Sequence, residues 1–571
     1  MTVHYPKNTK VRIAHLAGPT ATIQNTPPLV TSNKARKAHG LPARTNPDGS
    51  EMKFDALRAQ RLAAPATIFV EQYSAHPLEA DAAELYGPPD GFMDASGAVN
   101  AERQSPDDRP VYKIDLLPED GLYPLPYMAR QADGSAWEEE MAVPGGPEEK
   151  ARQGFFPDGS RSFEEIDRLS IGVQGVANAI SEQAEVEFYR VMPPGGFKKG
   201  VPAHLRTDVG EGDIPPEQRG LHFNAYKPHH LSTAPARPAL AKITNDTQAI
   251  ADSGKYDGLV WTQGSPQVEE TAYWFNLLID TKLPICGNAA QRPQGQISND
   301  GPKNIVDSIA FIRSGIWKDE SGANRCGTVV VQEQQYFAAR EVTKVDARPG
   351  GYAATGGHGG ILGQTSHNGD ISLMYVPAYK HTYLSDVNIT KLPTSTKAAQ
   401  RIDGQLQHID VTIKGADGKL TENAIPSVSI LKEGSYSDED YTVEPDDVTE
   451  LVAHLEHKLQ LGRLSGFITE GLVPYGRLPS ASREALVLKA TFSGIPTVRV
   501  GRGAPEGFAD PYPFVIAGSN LTAIKARLLL MASLMKFGAL PIAADPSAPT
   551  DAEKQATIAA VAEYQAVFNS H

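Results

Sequence analysis

The sequence predicts an α/β protein with a larger N-terminal unit, built on a mostly parallel sheet, and a smaller C-terminal α/β unit. Three observations predict it. Short continuous apolar runs alternate with helix-length stretches between Ala239 and Glu333, a polar stretch begins near residue 396, and the same alternation then resumes. Runs of about 4–8 apolar residues bounded by turn residues are the mark of strands buried on both faces, and strand–helix–strand order gives a parallel sheet.

Taken in chain order, the first apolar run is VRIAHLAGPT, residues 11–20, a strand that runs into a Gly-Pro loop. From residue 24 to 164 turn residues crowd in, as in ELYGPPDGFMDASG and PEDGLYPLPYM, and this stretch reads as an irregular insertion. A helix-like IGVQGVANAI then leads to the strand EVEFYRV, and a second Pro/Gly-rich excursion covers residues 193–228. Regular order resumes with ALAKITNDTQAIAD. The strand GLVWTQG, helix EETAYWFNLLI, strand LPICGN, helix NIVDSIAFIRS and strand GTVVVQE follow.

The reading closes the first domain at 395, takes 396–424, with its KGADGKLTEN turn, as a linker, and assigns 425–571 to the second domain. That domain opens with SVSILKE and continues through LVAHLEHKL, GFITEG, REALVLKATF, PTVRVG and the helix TAIKARLLLMASLMKF to an Ala-rich terminal helix. Ligands of such sheets sit beyond the carboxyl ends of the strands.

At 571 residues the chain is long enough for about two or three compact units. With 40% hydrophobic and 21% charged residues it has the balance of a globular protein, so reasoning about its fold is legitimate. A formal charge of −14, with no basic, aromatic-interleaved stretch to offset it, argues against nucleic acid as a partner. Cys286 and Cys326 are the only thiols, which excludes a disulfide framework and a CxxC zinc site. The N-terminal segment lacks the apolar region of a signal peptide and no window approaches the ~18 apolar residues of a membrane span. A soluble cytoplasmic protein, with no membrane partner, is the expectation.

Five segments, in order, carry a resemblance. They are WTQGSPQVEETAYW, NAAQRPQGQISNDGPKNI, AAREVTKVD, HNGDISLMYVPAYKHTYLSDVNITKLP and SNLTAIKARLLLMASL. The first resembles a His-Gly-Thr-Asp-Thr motif with its Glu-Glu-Thr/Ser-Ala-Tyr helix, the second an Arg-Pro loop with Ser-x-Asp-Gly-Pro, and the third a Val-Thr-Lys segment. Together they are similar to the asparaginase/glutaminase-type amidohydrolases, over roughly residues 10–22, 165–192 and 230–540. The resemblance implies the two-domain asparaginase-like fold, a small amide as substrate, no metal or organic cofactor, and a homodimer or homotetramer with active sites shared between subunits. Both insertions lie outside it.

Amide hydrolysis needs a nucleophile, a group to take its proton and donors facing the developing oxyanion. By the resemblance the nucleophile is a threonine on the loop after the first strand. Aligned without a gap this is Thr20, in Gly18-Pro19-Thr20; a one-residue insertion shifts the role to Thr22, in Ala21-Thr22-Ile23. A second constellation pairs a hydroxyl with a lysine that carries protons, here Ser265 and Lys344.

The departures bear on specificity. Pro266 stands where the family has the aspartate that holds the substrate's α-ammonium group, Gln263 replaces the motif's histidine beside Gly264, and Gln267 replaces its second threonine. Gln263, Gly264 and Pro266, with Tyr475 in EGLVPYG near the residue a neighbouring subunit lends, form the expected substrate-binding set. Leu169 falls at the family's tyrosine, and a leucine cannot relay protons. Tyr73, Tyr86, Tyr112, Tyr123 and Tyr127 of the insertion are open replacements, and the insertion is either a lid or a subunit contact.

Two further signals carry little. GGHGGILG, 356–363, does not lead into a helix and so is not read as a phosphate loop, and the adjacent His229 and His230 would point to opposite faces of a strand. The function expected is a threonine hydrolase of a C–N bond in an amide, lactam or cyclic imide lacking a free α-amino group. A non-catalytic ligand-binding homologue and an ester or lactone hydrolase are the alternatives.

Overall fold

Strand Val11–Ala17 lies one strand in from the edge of a nine-stranded sheet, with Ile13, Ala14, His15 and Leu16 buried. The computed structural model describes residues 237–571 apart from 266, 293–297, 299, 349, 356–357, 368, 435–448, 473–475 and 503–511. Before residue 237 it describes 2–3, 10–18, 30–32, 49–50, 54–56, 60–61, 66–70, 89–94, 99–116, 122–123, 180 and 183–190.

Five neighbouring strands of the large sheet are parallel, in the order Ala184–Arg190, Val11–Ala17, Gly258–Thr262, Ile285–Asn288 and Thr328–Gln332. An antiparallel run of Gln335–Ala338, Ile361–Thr365, Ile371–Leu373 and Thr2–Val3 extends it past Thr328–Gln332. Alternation along the strands sorts the two faces. Ala14, Leu16, Leu259 and Trp261 share a core with helices Ala239–Asp252 and Gln267–Leu278, whereas Ile13, Val260, Cys286 and Val329 pack with helix Gly301–Ser314. Helices on both faces are what a parallel sheet demands.

A second, four-stranded parallel sheet follows in sequence order: Ser427–Lys432, Ser465–Gly471, Thr497–Gly501 and Ile516–Ala517. Helices Thr449–Leu461 and Ala481–Phe492 share an apolar cluster with Leu431 and Phe467. Helix Ala523–Phe537 packs with Ile468 and Val498 in the same core as helix Gln267–Leu278. That explains why Gln267–Leu278 is apolar nearly all round: it is sandwiched between the large sheet and another helix. The chain closes with helix Asp551–Ser570, started by a reciprocal cap between Thr550 and Glu553. Among the described residues no helix is long and apolar enough to cross a membrane.

One expectation about an irregular segment needs correction, and one segment gains detail. Residues 396–424, read as a linker with a turn, hold a long antiparallel hairpin, Ser395–Ile402 with Gln405–Thr412. Its turn is Asp403-Gly404, both at positive φ (49° and 80°), the pairing that fits the twist of a two-residue hairpin. The segment read as an irregular insertion contains an antiparallel sheet of Ala66–Val70, Arg109–Leu116, Gly91–Met93 and Val99–Asn100. The helix-like IGVQGVANAI lies outside the described residues, except Ile180.

Candidate active site

The carboxyl ends of the central strands converge at one place. In register, Thr262 lies opposite both Ala17 and Asn288. The pairing runs one step further, with the Gly18 amide donating to the Thr262 carbonyl at 2.8 Å and the Gln263 amide to that of Asn288 at 3.0 Å. The chain leaves Val11–Ala17 for a neighbour on one side, Ala184–Arg190, and later fills the other side with Gly258–Thr262. This is the point where strand order reverses, the usual place for a ligand crevice in an open α/β sheet.

Gly18 turns the chain away from this edge. A Cβ there would lie 2.6 Å from Trp261 Cζ2 and 3.1 Å from Gln263 Cγ, so no side chain fits. Gln263 is itself buried, at 4% exposure, and its Oε1 accepts from Trp261 Nε1 at 2.9 Å. Its Nε2 has no partner among the described residues, an unsatisfied donor beneath the turn. Gly264 starts the next helix, its carbonyl accepting the Val268 amide at 3.2 Å.

Ser265 follows, half-buried, with its Oγ 2.8 Å from the hydroxyl of Tyr352. Tyr352 belongs to a short ladder in which Val342–Lys344 pairs antiparallel with Tyr352–Ala354, and its partner in register is Lys344. Opposed residues in such a ladder project from the same face, so the Tyr352 hydroxyl and the half-buried Lys344 leave it side by side. Tyr352, which the sequence did not single out, thus bonds Ser265 and faces Lys344 in register. Burial holds the Tyr352 phenol well above its ordinary range, hence protonated.

Glu269 fastens this group. One turn into the helix, its carboxylate accepts the main-chain N–H of Lys344 and so ties the Lys344 strand to the helix that Ser265 precedes. Burial raises the Glu269 pKa, opposed by the charge of Lys525. Lys525, on helix Ala523–Phe537, donates from Nζ to the main-chain oxygens of Glu269 (2.7 Å) and Ala339 (2.8 Å). The neighbouring Glu270 points outward and pairs with Arg527 at 2.5 Å. The Glu-Glu pair of one segment and the Lys-Ala-Arg of another, both noted in the sequence, are docking partners across the two sheets.

A second buried carboxylate shapes the loop after Ile285–Asn288. Asp300 accepts the amides of Gln291 (3.0 Å) and Arg292 (2.8 Å), Asn304 Nδ2 (3.1 Å) and Gln332 Nε2 (2.9 Å). That is the physical role of the aspartate in ISNDGP.

Thr20, Thr22, Pro266 and Tyr475 lie outside the described residues, as do Leu169, Tyr73, Tyr86, Tyr127, His229 and His230. Tyr112 and Tyr123 lie on strands Arg109–Leu116 and Leu122–Tyr123. The glycine-rich run passes through a three-residue 3-10 turn, His358–Gly360, into strand Ile361–Thr365 and not into an α-helix whose N-terminus would receive a phosphate. Among the described residues no three of His, Cys, Asp or Glu group as metal ligands.

The class that this edge defines is an α/β protein with a serine–tyrosine hydroxyl pair following one of its parallel strands. Residues 217–358 match the family described as Asparaginase, N-terminal. L-asparaginase 2 of Escherichia coli is 33% identical over 141 residues, 25% of this chain and 38% of that protein. A protein described as probable L-asparaginase periplasmic, from Haemophilus influenzae, is 28% identical over 301 residues, 52% of this chain and 69% of that one. Among solved structures, the probable cytoplasmic L-asparaginase of Campylobacter jejuni gives a TM-score of 0.43 at 18% identity, over 68% of this chain and 86% of that chain. The chain spans less than half the length of the first curated relatives it matches. By the family match and these relatives, the chain is similar to the asparaginases, and the similarity is a divergent one.

Proposed function

We propose that the chain is an amidohydrolase that cleaves the C–N bond of an amide, lactam or cyclic imide lacking a free α-amino group. The observation that carries the reading is the 2.8 Å contact between Ser265 and Tyr352, with Lys344 opposite Tyr352 in register. This cluster falls inside the segment that matches the asparaginases. Gly18, two residues before Thr20 in the sequence, lies against Gln263, which precedes Ser265 by two.

In the proposed reaction the Thr20 hydroxyl attacks the carbonyl carbon, and its proton passes to a basic group at the site. Collapse of the tetrahedral intermediate breaks the C–N bond and the nitrogen takes up a proton: from a carboxamide it leaves as ammonia, whereas from a lactam or a cyclic imide it stays on the opened chain as an amine or an amide. Water then hydrolyses the acyl-threonine and restores the hydroxyl. Ser265 and Lys344 move the protons, Gln263, Gly264, Pro266 and Tyr475 border the substrate, and a neighbouring subunit of a dimer or tetramer completes the site.

The test is turnover of a panel of amides, lactams and esters by the wild type, Thr20→Ala and Thr22→Ala. Loss of amide hydrolysis in Thr20→Ala alone supports the reading, and the reverse pattern moves the nucleophile to Thr22. Turnover of esters and lactones only makes the chain an ester hydrolase, and no turnover at all makes it a binding protein.

A further inference from the structure

We propose that Tyr352 is a positioning residue of this site, fixing the Ser265 hydroxyl so that its proton faces the ligand crevice. The proposal rests on the amidohydrolase reading and deepens it. Tyr352 is 5% exposed, and among the described residues its hydroxyl has one hydrogen-bond partner, Ser265 Oγ at 2.8 Å. A phenol has a single proton to place, and a buried O–H left unbonded is costly. Tyr352 therefore donates and Ser265 accepts.

That assignment leaves the serine proton free to be donated elsewhere. A hydroxyl that accepts one hydrogen bond is also a better donor in the next, since chained bonds polarise one another. The ring cannot swing away, because it is anchored in a ladder whose opposite strand is tied by Lys344 to Glu269. Ser265 thus occupies the end of a relay that starts on a fixed strand, with its own proton left for a ligand. By the resemblance Leu169 falls at the family's tyrosine, whereas Tyr352 stands with Ser265 and Lys344, on a strand.

The experiment compares wild type, Tyr352→Phe, Ser265→Ala and the double variant for ammonia release from succinamate and hydrolysis of succinimide. Tyr352→Phe keeps the ring and its packing. Its kcat is expected to fall roughly tenfold or more, the scale of one lost hydrogen bond, with KM within about twofold and the melting temperature close to wild type. The double variant should be no worse than the poorer single one, because the two hydroxyls act as a unit. In fluorotyrosine-labelled protein, the ¹⁹F resonance that Tyr352→Phe removes should move in Ser265→Ala.

An active wild type whose Tyr352→Phe variant keeps full kcat, or a resonance indifferent to Ser265→Ala, overturns the role of Tyr352 alone. A wild type that acts on none of the panel of amides, lactams and esters overturns the hydrolase reading, and the positioning role with it.

Discussion

Lys525 is fully buried, at 1% exposure, with its ammonium 2.7 Å from the main-chain oxygen of Glu269. A charge has been taken out of water to join the helix that follows Ser265 to one from the second sheet. Burial lowers the Lys525 pKa from 10.5 to about 8. Between those values the unfolded chain keeps a proton that the folded chain has released, so stability rises with pH there. The full cost of burying the charge is present below about pH 8. Urea denaturation of wild type and Lys525→Met across this window should show the wild type gaining relative to the variant as pH rises. A constant difference would mean that Lys525 does not titrate there.

Removing the carboxylate of Asp300 leaves four donors, two of them main-chain amides of the loop after Ile285–Asn288, without their acceptor. Asp300→Ala should cost about 2–4 kcal/mol, the range for breaking a buried network, measured as a shift in urea midpoint. A change below about 0.5 kcal/mol, typical of surface positions, would mean that the network has no structural weight.

The central parallel strands were legible in the sequence because strands buried on both faces cannot hide their composition: VRIAHLA, GLVWT and TVVVQ are apolar almost throughout. The hairpin Ser395–Ile402/Gln405–Thr412 was not, because its polar, partly exposed strands resemble a linker. The Asp403-Gly404 turn was the available signal. At the site, Ser265 and Lys344 follow from local motifs. Tyr352 does not, since it reaches Ser265 across 87 residues and only the ladder with Lys344 brings it there.

Both thiols should be inert in the folded protein. Burial pushes Cys286 well above the ordinary thiol range and Cys326 up to about 12. A thiol reagent at pH 8 should label neither until denaturant is added, when two equivalents react. Rapid labelling of native protein would contradict the packing around Ile285–Asn288 and Gly327.

Lys344 acts on chemistry and not on folding in this account, because its structural bond to Glu269 is made by its main-chain N–H. Lys344→Met keeps that bond. It should lower kcat by about 10²-fold or more, the scale for a positioned acid or base, while the melting temperature stays near wild type. An unchanged kcat removes Lys344 from the mechanism.

The central claim is hydrolysis of a substrate without an α-amino group, and the ratio of kcat/KM for succinamate to that for asparagine tests it most directly. Pro266 offers neither a charge nor a backbone donor. An ammonium desolvated there without a partner costs several kcal/mol, roughly 10²-fold or more in affinity. Succinamate and succinimide are expected to be turned over at least about 10²-fold more efficiently than asparagine. Asparagine hydrolysed as efficiently as succinamate would contradict it, since another acidic group would then hold the ammonium.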